Sequence, residues 1–478
     1  MNAQSAALMP PQLPLPAGGE LYSMPCYVIE SLSGIDAAFH FTNTSLGNRS
    51  PSATILHVKT PSRREFIKGV ALAGLAASAA PTLLAHAAES KHPLSSFDDE
   101  MESFMKARQV PGGSLAIVKD GKLIYARGYG LADREKNLPV QADSLFRIAS
   151  ISKPFTAVGI LKLVEQGKLK LDDKALELLK LPEKPLDPRW EDITVRHLLH
   201  HTGGWDRDAA FDPMFRPGTI ATNLNVEAPA KPEHIIRYML ARKLDSAPGE
   251  RYAYSNFGYC ILGRIIEKLT KQDYETYMKE AVLAPIGIKR MQIGKSVAGQ
   301  QAKGEVKYYM PDKGTADSVF PAIKRRVPWP YGGFYLEAMD AHGAWIASAV
   351  DLVRFASAFD DVSKSPLLKK ESIREMFSPP AAPVSRTPEG KLKDSYYALG
   401  WQVRPVGREG KSNTWHSGSL PGTSTLLVRR WDGLDWAVLF NQRSKDSKLP
   451  DGAIDGAMHK AAGKVTEWPK EDLFPKFA

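Results

Sequence analysis

A serine and a lysine three residues apart, Ser150 and Lys153, lie in the stretch 147–157, which reads Arg-Ile-Ala-Ser-Ile-Ser-Lys-Pro-Phe-Thr-Ala. Residues i and i+3 share a helix face, so the Lys153 ammonium can sit beside the Ser150 hydroxyl and change its proton affinity. Pro154 helps to place the start of that helix. A helix already running upstream would lose a backbone bond and clash at the proline, whereas one that begins at Ser150 or Ile151 leaves Pro154 in its first turn. Ser150 is then expected at the positive end of a helix dipole, which suits a nucleophile whose attack creates negative charge. The residue before a proline is biased away from the α region, so Lys153 is expected to be less regularly helical than its neighbours.

Serine acyl transfer also needs a base for the hydroxyl proton, a proton donor for the leaving group and two donors for the tetrahedral oxyanion. Two later segments supply candidates. Residues 248–259 read Pro-Gly-Glu-Arg-Tyr-Ala-Tyr-Ser-Asn-Phe-Gly-Tyr, a turn followed by a phenol, Tyr254, and an amide, Asn256, two residues apart. Residues 415–422 read Trp-His-Ser-Gly-Ser-Leu-Pro-Gly and precede a strand-like run from Ser424 to Arg430. A free tyrosine titrates at about 10, too high for a base at neutral pH unless a neighbouring cation stabilises the phenolate, and Lys153 is the candidate cation. The reverse assignment, neutral Lys153 as base with Tyr254 relaying the proton, fits the same residues equally well.

In this order, Ser-x-x-Lys, Tyr-x-Asn and His-x-Gly resemble the serine β-lactamase and penicillin-binding superfamily. More narrowly, they are similar to its class C-related branch of D-Ala-D-Ala carboxypeptidases, D-aminopeptidases and β-lactamase-fold esterases. The resemblance spans residues 98–460 and takes in Leu-Leu-His-His-Thr-Gly-Gly at 198–204, the run Leu262 to Ile288, and residues 341–351. It implies Ser150 as nucleophile, Lys153 and Tyr254 as the proton-handling pair, and Asn256 as the residue that orients Lys153 and the substrate amide. The backbone N–H groups of Ser150 and Ser419 are implied as the oxyanion hole, with His416 and Gly418 beside it. No cofactor and no metal are implied. Class C β-lactamases usually carry Lys-Thr-Gly where this chain has His416-Ser417-Gly418, and a histidine weakens the fixed positive charge offered to a substrate carboxylate. The expected activity is serine hydrolysis of an ester or amide through an acyl-enzyme. D-Ala-D-Ala-type peptides and small esters lead, and β-lactam hydrolysis ranks below them.

Three other functions compete with this reading. His197, His200 and His201 could face one way on a helix and hold zinc, but no H-E-x-x-H and no nearby carboxylate ligand accompany them. A non-catalytic penicillin-binding sensor would use the same pocket, yet a binder has no need of a complete acyl-transfer set. A conventional α/β-hydrolase is disfavoured because no G-x-S-x-G elbow occurs.

Upstream, Ser-Arg-Arg-Glu-Phe-Ile-Lys at 62–68 is a twin-arginine motif, followed by the small, apolar run Gly69 to Leu84 and then Ala85-His86-Ala87, a good signal-peptidase site. The expectation is a twin-arginine signal at 58–87 and an exported hydrolase domain at 88–478, periplasmic or extracellular, with no stable membrane span once the signal is removed. Residues 1–57 are rich in Pro, Ser and Asn without periodicity and are expected to be disordered or a non-native extension, with translation starting near Val58. The formal net charge is +10, but the basic residues are scattered and carry no nucleic-acid motif. The expected partner is therefore a small-molecule or peptide substrate, cell-wall-derived peptides included. Of the two cysteines, Cys26 lies upstream of the domain and Cys260 stands alone in an apolar run, so an internal disulfide is not expected.

The elements that must position these residues read as an α/β fold of the β-lactamase and DD-peptidase type. An amphipathic helix is expected over 94–109, then a hairpin of 114–119 and 122–128 around Asp120-Gly121. Helices are expected at 150–166, 195–200, 232–242, 257–270 and 274–283, with Ser348 capping another that reaches Phe359. Strands return at 397–405, 424–430 and 436–441, before a last helix at 454–462. One antiparallel sheet formed by strands from both ends of the chain, flanked by helices and carrying an inserted helical lobe, would place Ser150 in the cleft between them. Residues 206–231 and 296–340 read as long irregular loops that shape the pocket.

Overall fold

Asp120 and Gly121 both take positive φ, 51° and 77°, giving the turn that Asp-Gly favours and folding Gly112–Lys119 (β1) back on Lys122–Asp133 (β2). This hairpin opens the fold of the computed structural model, which describes residues 92–477 apart from 408, 409, 445 and 447. The expected signal at 58–87 and the segment 1–57 lie outside the described residues, as does Cys26.

The remaining strands are Leu138–Pro139 (β3), Phe146–Arg147 (β4), Gln292–Ile293 (β5), Thr315–Asp317 (β6), Arg326–Pro328 (β7), Trp345–Ala347 (β8), Tyr396–Tyr397 (β9), Gln402–Pro405 (β10), Ser412–Leu420 (β11), Thr423–Arg429 (β12) and Leu434–Phe440 (β13). Six of these join β1 and β2 in one eight-stranded sheet, in the order β3-β2-β1-β13-β12-β11-β10-β9. Its neighbours are antiparallel throughout, and β1 pairs with β13 from Gly113 against Phe440 to Lys119 against Leu434. The sheet is thus closed by the two ends of the domain, as expected. Between β4 and β9 lies the helical lobe, joined by the three-stranded ribbon β4-β8-β5 and the pair β6-β7.

Both faces of the central strands are buried, which is why they read as continuous apolar runs rather than as an alternation. Leu115, Ile117, Leu426, Val428, Trp436 and Val438 pack against helix Ser95–Arg108 (α1) and helix Ala453–Ala462. The intervening Ala116, Val118, Leu427, Ala437 and Leu439 face the other way, into the core shared with the lobe. Each fully buried aliphatic side chain contributes about 1.5–3 kcal/mol, so the sheet is the rigid platform of the site.

Several boundaries moved. The expected strand 397–405 is two short ones, because Gly400 (φ 83°) brings the backbone against α2 (Ser152–Glu165), where a Cβ would stand 2.7 Å from that of Ala157. The expected helix 274–283 continues past Met278 as a π turn, Lys279–Leu283. Loop 206–231 contains a 3-10 turn, Pro213–Phe215, and a helix, Pro217–Leu224, both opened by prolines. Ser348 caps as expected, in a reciprocal box with Asp351. No helix among the described residues is long and apolar enough to cross a membrane. Cys260 is a free thiol, fully buried, and burial pushes it up to about 12.

Candidate active site

Ser150 does not begin the α-helix. It occupies a 3-10 turn, Ala149–Ile151, and α2 starts two residues later at Ser152 with Lys153 and Pro154 already helical. The turn is forced by Ala149, whose φ of 49° lies in the left-handed region that costs an L-residue about 1–2 kcal/mol. The strain is held by neighbours. Thr425 Oγ1 donates to the Ile148 carbonyl and Thr423 Oγ1 to the Arg147 carbonyl, each at 3.0 Å, so alternate hydroxyls of β12 tie down the backbone just before Ser150. Gly418 of β11 faces the same turn, and a Cβ there would lie 2.2 Å from the Ile148 oxygen and 2.3 Å from Thr425 Oγ1. The glycine of His-x-Gly is therefore required for the strand to approach the nucleophile.

Arg147 fixes the turn from the other side. Its buried guanidinium donates to the carbonyls of Pro330 and Lys295 at 2.7 and 2.8 Å and stacks over Tyr308, while its backbone N–H donates to Tyr308 Oη at 2.8 Å. Tyr308 Oη donates in turn to Glu305, whose carboxylate lies 3.9 Å from Arg147 Nε. Part of the loop 296–340 thus buttresses the nucleophile's strand.

Lys153 is fully buried, and its Nζ donates to Ser150 Oγ at 3.1 Å, Asn256 Oδ1 at 2.8 Å and the His342 carbonyl at 3.0 Å. Ser150 itself is partly exposed, so a charge held in the interior meets a hydroxyl open to the cleft. Tyr254 lies across from it, with Lys153 Nζ 4.7 Å from the ring centroid and the Arg207 guanidinium 4.6 Å from the same ring. Tyr254 and Asn256 flank Ser255, which caps helix Asn256–Thr270 by accepting from the Gly258 N–H. The Asn256 Nδ2 donates to Asp212 Oδ2 at 2.6 Å.

The histidine segment before loop 206–231 is a clamp for this Tyr-x-Asn stretch. His201 accepts the Ala253 N–H on its carbonyl at 2.9 Å and the Ser255 N–H on Nδ1 at 3.1 Å, and its ring packs against Tyr254 with centroids 4.2 Å apart. His197 closes the N-terminus of helix Val195–Leu199, and His200 Nδ1 meets the Tyr397 carbonyl at 3.2 Å. The three rings point to separate partners, and no cluster of His, Cys, Asp and Glu among the described residues is placed to hold a metal.

His416 lies on β11, an element the sequence left as a motif ahead of a strand. Its Nδ1 donates to the Ser417 carbonyl at 2.7 Å and its Nε2 accepts from Tyr397 Oη at 3.0 Å, an arrangement that suits the neutral ring. Burial and then the nearby Lys153 charge push its pKa down to about 3. His201 and His342 are likewise held well below the usual histidine range, first by burial and then by Lys153. On the strand's opposite face Ser417 and Ser419 are exposed, and Arg443 reaches Ser419 Oγ at 3.4 Å. Ser150, Lys153, Tyr254 and Asn256 therefore converge, His416 packs behind them, Gly418 backs the turn, and Ser419 stands at the open edge. The roles of Thr423, Thr425, Arg147, Tyr308 and Asp212 escaped the sequence reading. The Thr-Ser-Thr alternation inside an apolar strand was the signal that could have found the first two.

A β-lactamase family model matches residues 97–457. Penicillin-binding protein 4* of Bacillus subtilis is 27% identical over 360 residues, covering 75% of this chain and 74% of that protein. Among solved structures, an octameric penicillin-binding protein homologue from Pyrococcus abyssi shares 29% identity with a TM-score of 0.59, covering 79% of each chain. The D-amino acid amidase of Ochrobactrum anthropi SV3 shares the fold at 21% identity and a TM-score of 0.60, covering 78% of this chain and 98% of its own.

Proposed function

The chain belongs to the β-lactamase family and is a serine hydrolase of it, and from that membership we propose that Ser150 is the nucleophile of an acyl-enzyme mechanism on amide, D-peptide or ester substrates. The observation that carries this reading is the 3.1 Å contact between Lys153 Nζ and Ser150 Oγ, with Asn256 Oδ1 and the His342 carbonyl as further fixed acceptors of the same nitrogen. Ser150 Oγ attacks the acyl carbon, its proton passes to the Lys153 and Tyr254 pair, and the leaving amine or alcohol departs with that proton. Water then attacks the acyl-enzyme ester, the same pair takes a proton from that water and delivers it to Ser150 Oγ, and the acid product leaves. The negative oxygen of each tetrahedral intermediate is received by the backbone N–H groups of Ser150 and Ser419.

Amides and esters are favoured over β-lactams because His416 stays neutral where class C β-lactamases carry a lysine, which removes one fixed cation from the edge where a ring carboxylate would sit. Relatives named as penicillin-binding proteins and a D-amino acid amidase support D-configured acyl donors. The purified protein is assayed on p-nitrophenyl esters, D-amino acid amides, D-Ala-D-Ala peptides and a chromogenic cephalosporin, with the labelled residue identified by mass spectrometry. Turnover of the ester, amide or D-Ala-D-Ala peptide through an adduct on Ser150 is the expected result. Rapid cephalosporin hydrolysis alone would reverse the ranking, and labelling without turnover would make the protein a penicillin-binding sensor.

The twin-arginine motif supports export before this chemistry occurs. Replacing Arg63 and Arg64 with lysine should leave the protein in the cytoplasmic fraction, and unchanged export would remove the proposal.

A further inference from the structure

On the reading that Ser150, Lys153 and Asn256 work together, we propose that Asp212 is a positioning residue: it fixes the Asn256 amide so that the oxygen, rather than the nitrogen, meets Lys153. The argument rests on counting donors and acceptors. Asn256 is buried, and its two polar atoms face opposite charges, Oδ1 toward the Lys153 ammonium at 2.8 Å and Nδ2 toward the Asp212 carboxylate at 2.6 Å. Turning the amide over would set N–H groups against the ammonium and oxygen against the carboxylate, replacing two charge-assisted bonds with two repulsions. Without Asp212, only Lys153 would select the orientation.

Asp212 is itself held in place. It caps the 3-10 turn Pro213–Phe215, with Oδ1 accepting the Met214 N–H at 3.0 Å and Pro213 fixing the chain that follows. Burial raises its proton affinity, while the Arg207 guanidinium of the same loop and the Asn256 and Met214 donors oppose that, and it is the ionised carboxylate, able only to accept, that selects the amide orientation. One loop therefore presents Arg207 to Tyr254 and Asp212 to Asn256, so both members of Tyr-x-Asn are set from outside their own segment. Lys153 deprived of a fixed Asn256 oxygen would lose one of the acceptors that hold it, and its Nζ could drift from Ser150 Oγ; a shift of about 1 Å can cost about 100-fold in rate.

The test is the rate of acylation, read as covalent labelling of Ser150 and as kcat/KM. Asp212→Ala should slow it by about 10–100-fold with little change in KM. The same substitution in an Asn256→Ala background should cost less than about 2-fold, because the residue acts through Asn256. A swap covers the case in which Asp212→Ala does not fold. Asn256→Asp alone sets two carboxylates side by side and should be slow, and adding Asp212→Asn restores the pair with donor and acceptor exchanged, recovering at least about 10-fold. Equal cost of Asp212→Ala in both backgrounds, or no recovery in the swap, overturns the assignment. An adduct on a residue other than Ser150 would instead remove the reading beneath it, and that is read from the wild-type protein alone.

Discussion

Two of the buried clusters of charge lie at opposite ends of β12, and they put burial to different use. Near Thr423, which holds the backbone just before Ser150, the Lys153 nitrogen donates to acceptors that include a hydroxyl open to the cleft. At the other end, Arg429 lies with Nε 2.8 Å from Asp360 and opposite Asp435 on β13, a residue with no exposure at all. Burial, and then the neighbouring Asp360 charge, raises Asp435 far above the usual carboxylate range, so the pair keeps a proton that free carboxylates would have lost. This strongly perturbed group has no route to a substrate. An unusual ionisation marks a site only when it reaches a group that a ligand can touch.

The comparison breaks most easily at Ser150. Ser150→Ala should lower turnover by several orders of magnitude, on the order of 10⁴ or more, while the melting temperature stays unchanged. Lys153→Ala should lose as much, and combining the two should add nothing, because the groups act as a unit. Turnover retained in Ser150→Ala, measured on the best substrate of the panel, would place the working cluster elsewhere.

A smaller effect is expected where platform and chemistry meet. Gly418→Ala drives a methyl into the Ile148 carbonyl and should cost about 1–3 kcal/mol of stability. Because the strain falls on the turn that carries Ser150, kcat should drop more steeply than denaturant midpoint. Equal activity per folded molecule would show that the turn tolerates displacement.

The smallest effect belongs to the far cluster. Asp435→Asn should raise stability at pH 7 by on the order of 1 kcal/mol, with kcat unaltered. The sign follows from linkage: a folded-state pKa raised above the unfolded value means that the native protein binds the extra proton. Its stabilising contribution is complete below about pH 4 and declines as pH rises through the folded value. Chemical denaturation at pH 5 and pH 8 should show the variant's advantage growing with pH. An advantage that shrinks would reverse the assignment of the proton.

Much of the site was legible because its chemistry is local. Ser150 and Lys153 are three residues apart, Tyr254 and Asn256 two, and each pair needs only the rule of a helix turn or an extended segment to be brought to one side. The apolar strands β1, β12 and β13 and the cap at Ser348 were legible for the same reason. β11 was not, since Ser412, Asn413, Ser417 and Ser419 give it little apolar signal, and its pairing on both sides is long-range. Asp212 joins Asn256 across 44 positions, and its Asp-Pro step reads locally as a turn signal and nothing more. The histidines at 197, 200 and 201 misled for the opposite reason. Their helical spacing is real, but His201, with φ at 58°, has already left the helix.

The pairing of β1 with β13 also sets an order on synthesis. A chain still on the ribosome that ends before residue 412 already contains Ser150, Lys153, Tyr254, Asn256 and Asp212, yet has neither Gly418 behind Ala149 nor the threonine hydroxyls that hold the carbonyls of Arg147 and Ile148. Its first hairpin has one open edge where β13 will later lie. The Ser150 hydroxyl is therefore assembled among the last parts of the domain, and a product truncated there carries Ser150, Lys153, Tyr254 and Asn256 without Ser419 and without the geometry to use them.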